Sequence, residues 1–326
     1  MLRCGMAAAL ALATTIAVAC NIPVFRYALE RWQPDSSQVI IFHEGPLTSA
    51  QQQLLESIRA GSKQDGGHAN AEVVQVDLNA DDDPKRREWW SEMKTLPGVQ
   101  LPAVLLRTRL GQGRFVNHWH GTLQAAVDVG LYQSPARDEI RDRLLAGHSV
   151  VWLLIGSSDS DRNDQAKDQL ETTFTTLANK IKLPQGIGLP GSELYADVPL
   201  VVKFSVLQID GDDPREAVLT GLLTGLRKQA FEDGEPLLVP VFGRGRALEV
   251  IPATDLSARM VEDLTLFLSG ACSCQVKQQN PGFDLLIDAD WDGQLFGDES
   301  NRPPDRSADV GKNRSPVLLT IPPGRN

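Results

Sequence analysis

The feature that most constrains this 326-residue chain is a pattern it states twice. "QLPAVLLRTRLGQGRFV", residues 100–116, and "GEPLLVPVFGRGRALEV", residues 234–250, each run proline, apolar strand, Gly-x-Gly-Arg, apolar strand. Apolar runs interrupted by a glycine turn read as two strands of a hairpin. A pattern repeated at wide spacing marks a diverged tandem duplication. Glycines between a strand and a helix would suggest a phosphate loop. Here they join two strands, so a hairpin turn is the reading.

The residues around each hairpin complete a unit. In the first half "QVIIFHE" (38–44) is a strand, and "LTSAQQQLLESIRAG" (47–61) a helix with Ser49 as its cap. "AEVVQVDLN" (71–79) is a second strand and "PKRREWWSEMKTL" (84–96) a second helix. The hairpin over 99–121 follows, then a helix over 122–132. In the second half the strands fall at 149–157 and 198–210, the helices at 160–183 and 213–230. The hairpin spans 235–252 and a final helix 255–270. The insert "PQGIGLPGSELYADVP" (184–199) is loop-like. Each half therefore reads β-α-β-α-β-β-α, an α/β class with mixed sheets flanked by helices.

That order resembles the thioredoxin fold. Pro102 stands where that family carries a cis-proline at the entry to its third core strand, with Pro236 equivalent in the second half. The resemblance implies two tandem thioredoxin-like domains, at 36–132 and 136–291. It also implies a Cys-x-x-Cys after each first strand. Those places read "FHEGPLTS" and "GSSDSDRND", so the family's thiol chemistry does not carry over.

The N-terminus sets the compartment. Arg3, the apolar run Met6–Ala19 and the small residues before Cys20 make residues 1–19 a signal peptide. "AVAC" (17–20) resembles a bacterial lipobox, which implies lipidation of Cys20 by diacylglycerol and palmitate. Ordinary cleavage near Ala19 and an uncleaved anchor are the alternatives. More than one acyl chain gives a stable membrane anchor. The implied location is the cell envelope, facing the periplasm. Residues 20–35 contain Val24, Phe25, Ala28, Leu29 and Trp32 at helical spacing. This helix packs on the first domain or lies against the membrane as an amphipathic stalk; its few charges favour packing. The tail 292–326, rich in Pro, Asp, Arg and Ser, is expected to be disordered.

The formal charge is −10, and nucleic-acid binding favours a basic face, so no nucleic-acid partner is expected. Asp81–Asp83 before Pro84 read as a helix start rather than a cation site. His118 and His120 alternate along one strand and would share a face, with Trp119 opposite. Two such imidazoles can ligate a metal or simply face solvent. His43 ends the first strand.

Cys272 and Cys274 remain. In an oxidising compartment they can form a small strained disulfide. They can instead be buried thiols, a Cu(I) clip or a thiol-exchange pair. A disulfide there would brace the turn that docks Phe283, Leu285 and Leu286 on the second domain. "CN-x-PVFRYALERW" and "CSC-x-VK…NPG-x-DLL" resemble segments of uncharacterised exported proteins of planctomycete-type bacteria, which supply no catalytic residue. Two function classes follow. One is a non-catalytic envelope lipoprotein that binds an unknown envelope protein or assembles a complex, with no cofactor. The other is thiol-disulfide exchange or copper handling through Cys272 and Cys274.

Overall fold

A computed structural model describes residues 21–178, 180–272 and 276–304. In chain order the elements are α1 (Val24–Arg31), β1 (Ser37–His43), α2 (Ser49–Gly61), β2 (Ala71–Asp77), α3 (Pro84–Met93), β3 (Ala103–Arg109), β4 (Phe115–Thr122) and α4 (Leu123–Asp128). Then come α5 (Pro135–Leu145), β5 (Val150–Gly156), α6 (Ser160–Ala178), β6 (Phe204–Asp210), α7 (Ala217–Leu226) and α8 (Lys228–Glu232). The chain continues through β7 (Leu237–Phe242), β8 (Arg246–Ala247), β9 (Ile251–Pro252), α9 (Ala258–Ser269), β10 (Phe283–Asp284) and α10 (Trp291–Phe296). It is a mixed α/β architecture with two mixed sheets flanked by helices.

The first sheet has the order β2-β1-β3-β4, with β1 parallel to β2 and the other pairs antiparallel. The second has the order β10-β8-β7-β5-β6, with β9 also on β7 and β5 parallel to β6. Both central strands are covered on both faces. Val39 and Ile41 face α2 and α4, whereas Ile40 and Phe42 face Met93 of α3. Val151, Leu153 and Ile155 face one layer of the second half, and Trp152 and Leu154 the other. A strand buried twice reads as a continuous apolar run, as "VIIF" and "VVWLLI" do.

Pro102 and Pro236 each immediately precede the third strand of their sheet, and the Leu101–Pro102 bond is cis. Each returning strand carries one extra residue. Leu106 pairs with Trp119 but Arg107 with Asn117, so His118 is extra. Leu238 pairs with Ile251 but Val241 with Ala247, and there the strand breaks into β9 and β8. The break lies opposite Pro240. Its carbonyl accepts from the Leu248 N–H on that side, and proline has no N–H to return.

Several expectations change. Thr48, not Ser49, caps α2, in a reciprocal capping box with Gln51. Helix α1 packs on the second half rather than the first. Ile22, Phe25, Tyr27, Ala28 and Trp32 join the core of Trp152, Leu238 and Phe242. Every residue from Val24 to Glu30 is buried, so α1 has no face left for a membrane. Packing on sequence neighbours was the simpler expectation; the second sheet has an uncovered strip beside α9, and α1 fills it. The segment after Asp292 is not wholly a disordered tail. Trp291, Leu295 and Phe296 of α10 enter the second half's core, because their spacing gives one apolar face. Residues 305–326 lie outside the described residues.

The two halves are stitched together. The extended segment 283–289 runs between them, and its alternate side chains go opposite ways. Phe283, Leu285 and Ile287 enter the second half's core, while Leu286 enters the first's. The docking of all three on the second domain is thus corrected for Leu286. Asn70 holds this strap like a paired strand: Nδ2 donates to the Leu285 carbonyl at 3.1 Å and Oδ1 accepts from the Ile287 N–H at 2.8 Å. Arg137, fully buried, donates to the carbonyls of Leu131, Gly130, Gln133 and Leu286. Burial pushes its guanidinium down to about 10.

Candidate functional site

The sequence directs attention to three places: the end of each half's first strand, the histidines of β4, and the junction of Cys20 with the Cys272–Cys274 segment.

At the end of β1, His43 Nδ1 meets the Gly45 carbonyl at 2.7 Å and Nε2 meets Gln75 Nε2 at 2.9 Å. The amide of Gln75 donates, so Nε2 accepts and Nδ1 carries the proton. Asp77 Oδ1 accepts from the N–H groups of Gly45 and Asn79, both at 3.0 Å. Those two donors hold its carboxyl below the usual range. At the end of β5, Asn163 does the equivalent work. Its Oδ1 accepts from Ser157 N–H at 3.0 Å, its Nδ2 donates to the Ser157 carbonyl, and Ser157 Oγ donates to Gly234. Both loops spend their polar groups on closing themselves.

His118 and His120 do not share a face. The bulge at His118 interrupts the alternation, so His118 and Trp119 lie on one side and His120 on the other. His118 Nε2 lies 3.0 Å from Thr108 Oγ1, which in turn meets Ser37 Oγ at 3.0 Å. His120 Nε2 reaches the Pro97 carbonyl at 3.4 Å. The His118 imidazole is enclosed where β4 meets α7, and burial pushes it down to about 4. Among the described residues no group of three or more His, Cys, Asp or Glu side chains is placed to hold a metal. Asp81 and Asp83 serve the start of α3: Asp81 pairs with Arg86 at 2.6 Å and Asp83 caps Lys85 N–H at 2.8 Å.

The junction is the most organised of the three. Cys20 and Cys274 lie outside the described residues. Cys272 is 1% exposed, in the core that holds α1, and its N–H donates to the Ile22 carbonyl at 2.9 Å. Val24 N–H donates to Gly270 at 3.0 Å, so the chain after Cys20 and the chain before Cys274 pair as a short antiparallel bridge.

Buried charges lock this junction, and sequence reading missed them. Arg26 and Glu30, one turn apart, pair at 2.8 Å inside the protein. Arg26 also donates to the carbonyls of Ala196 and Val198, and Glu30 accepts from the N–H groups of Tyr195 and Ala196. The glycine turn of the second hairpin sends both its arginines inward. Arg244 donates to the carbonyls of Leu29 and Glu30 at the end of α1 and pairs with Asp292 at 2.7 Å. Arg246 pairs with Asp284 at 3.1 Å and donates to the carbonyls of Asn280, Pro281 and Gly282. Lys277 Nζ binds Asp284 on its other oxygen, Asp35 at 3.0 Å and the Gln33 carbonyl at 2.6 Å. Gly243, at φ +60°, brings the turn against α1; a Cβ there would lie 2.7 Å from Ala28 Cβ. The available signal was the i,i+4 pair Arg26/Glu30 in an otherwise apolar helix, and two arginines in a turn short enough to point them into the body.

An open cleft of about 210 Å³ separates the first hairpin from the end of α7. Leu110, Arg114, Arg227, Glu249 and Phe283 line it, and Arg227 pairs with Glu249 at 3.3 Å. No nucleophile or acid–base pair faces it. Among the described residues no helix is long and apolar enough to cross a membrane.

No protein-family model and no curated protein matches the chain. Among solved structures it is similar to a chain in the crystal structure of ERdj5 form II, at 12% identity and a TM-score of 0.21. The match covers 72% of this chain and 27% of that one.

Proposed function

We propose that this chain is a non-catalytic bacterial envelope lipoprotein, anchored through lipidated Cys20 and facing the periplasm, whose two thioredoxin-like halves form one framework for binding an envelope protein or assembling a complex. The observation that carries the non-catalytic reading is the state of the two first-strand ends. There the His43–Gln75–Asp77 and Ser157–Asn163 groups are consumed in closing their own loops, and no thiol is present. The tandem thioredoxin-like reading is supported by the matching strand orders, the paired prolines and the matching bulges. The lipoprotein reading is supported by the apolar leader ending in "AVAC" and by a fold that starts at once after it.

Thiol exchange or copper handling through Cys272 and Cys274 is the weaker reading. A nucleophilic or ligating thiolate must be reached, and Cys272 is enclosed beside α1. One set of measurements on protein extracted from bacterial membranes tests both. The N-terminal mass is expected to show a diacylated Cys20, the metal content no copper, and a thiol–disulfide exchange assay no catalysis by the native chain. Catalysed exchange or stoichiometric copper that disappears in Cys272→Ser would overturn the non-catalytic reading. An unmodified mature N-terminus would overturn the anchor.

A further inference from the structure

The place where the chain enters the fold has a surface of its own. Asn21 N–H donates to Ser192 Oγ at 2.9 Å, and a Cβ on Gly186 would lie 2.9 Å from Asn21 Nδ2, so the loop 184–192 touches Asn21 on one side. On another side the end of α9 arrives: Pro23 bridges Ala271, and Val24 N–H donates to Gly270. Each of these neighbours presents large apolar side chains to solvent. Leu189 is 61% exposed, Leu266 51% and Phe267 38%. Leu189 extends from the loop, and Leu266 and Phe267 from the last turn of α9. Single exposed apolar residues are ordinary; three around one chain entry call for an occupant.

The entry's position beside Cys20 says which occupant. The chain has 42 acidic residues, yet none lies in 1–29, in 172–192 or in 264–283. Acids border these stretches: Glu193 accepts from the Gly191 N–H at 2.9 Å, and Asp263 is exposed one turn before Leu266 and Phe267. Lys180 and Lys182 flank the loop and are exposed. An exposed apolar rim with two lysines near it, next to the residue read as lipidated, suits a surface that is itself negative and apolar beneath. Only Asn21, Ile22 and Pro23 separate Cys20 from the buried helix α1 in sequence.

We propose that this face of the second half lies against the lipid surface, with Leu189, Leu266 and Phe267 entering the headgroup region beside the anchor. The proposal rests on the lipoprotein reading of Cys20 and deepens it: the acyl chains hold the protein, and the apolar rim fixes which way the body faces. Apolar side chains at an interface bind in proportion to the area they bury, and anionic lipid adds attraction for nearby cations. The opposite half, with the first sheet and the cleft beside its hairpin, is then turned away from the membrane and accessible.

The test uses the full chain, processed in a bacterial host and reconstituted into vesicles of phosphatidylethanolamine and phosphatidylglycerol whose acyl chains carry an alkyne tag. A photo-crosslinking p-benzoylphenylalanine replaces Leu189, Leu266 or Phe267, one at a time. Leu96 and Val127, exposed apolar residues of the first half, are the control positions. All five are exposed, and thermal melting checks that each variant folds. Lipid capture at the three test positions is expected to exceed the controls by about tenfold. Equal capture at all five positions, or capture of a second copy of the chain instead of lipid, overturns the proposal. The N-terminal mass of the same samples separates the two readings. A diacylated Cys20 without selective capture leaves the anchor and removes the oriented face. Selective capture with an unmodified N-terminus keeps the face and removes the anchor.

Discussion

Lowering the pH from 7 toward 4 should loosen this protein, starting above the range in which its carboxylates titrate, and His118 is the reason. Its imidazole is enclosed between β4 and α7, with Nε2 3.0 Å from Thr108 Oγ1 and the backbone of Val218 opposing part of the shift. Burial is the main cause of its depression to about 4, and the Arg137 charge adds to it. The folded value lies below the unfolded 6.5, so the unfolded chain takes up a proton that the fold refuses. Stability is therefore fully present above 6.5 and falls as the pH drops toward 4. At about 1.4 kcal/mol per pH unit, the loss amounts to about 3 kcal/mol across that window. His148 is also held low, by burial and then by Lys203 and Arg143, and it acts in the same direction. Urea unfolding followed by tryptophan fluorescence, at steps from pH 7.5 to 4.0, measures the slope. His118→Gln retains a hydrogen-bonding group toward Thr108 but cannot titrate. Its stability is expected to be nearly flat over the same range, apart from the His148 share. Equal slopes for the native chain and His118→Gln would refute the reasoning, because the proton would then be taken up elsewhere.

Three further substitutions test the junction and the strap, and a fourth, on the surface, is their control. Asp284→Ala leaves Arg246 with backbone carbonyls alone and Lys277 with Asp35 as its remaining carboxylate, and should cost about 3 kcal/mol in urea unfolding; Arg215→Ala, on an exposed pair, should leave the unfolding midpoint unchanged. Gly243→Ala combines a left-handed backbone with a Cβ 2.7 Å from Ala28 and is expected to lower the melting temperature by several degrees, for a loss of about 1–3 kcal/mol. Asn70→Ala removes its two hydrogen bonds to the strap, leaving those of Arg137 and Gly245, and should cost about 2 kcal/mol, with faster amide exchange at Ile287 as the local sign. Unchanged exchange at Ile287 would show that packing of Leu285 and Leu286 alone holds the segment.

The sequence determined the local units. Period and punctuation placed the strands and helices of the two repeated units, though not α5, β10 or α10, because twice-buried strands must be continuously apolar and hairpins need their glycines. Pro102 and Pro236 marked the third strand of each sheet, and "FHEGPLTS" and "GSSDSDRND" showed that neither first strand is followed by a thiol. What tertiary structure alone decided concerns contacts between segments distant in the chain. The bulge that turns His118 away from His120 depends on register between two strands, which a strict alternation hides. Helix α1 carries an apolar stripe that fits either half; only the vacant strip beside α9 and the carbonyls of Ala196 and Val198 place it on the second. Arg244, Arg246, Lys277 and Asp284 look like surface charges in sequence, since most charges are solvated. They are buried because backbone carbonyls and opposite charges from residues 29–35 and 280–292 converge on them. The strap 283–289 reads as a single apolar run. Its division between two cores exists only because two sheets stand on either side of it, each taking every second side chain.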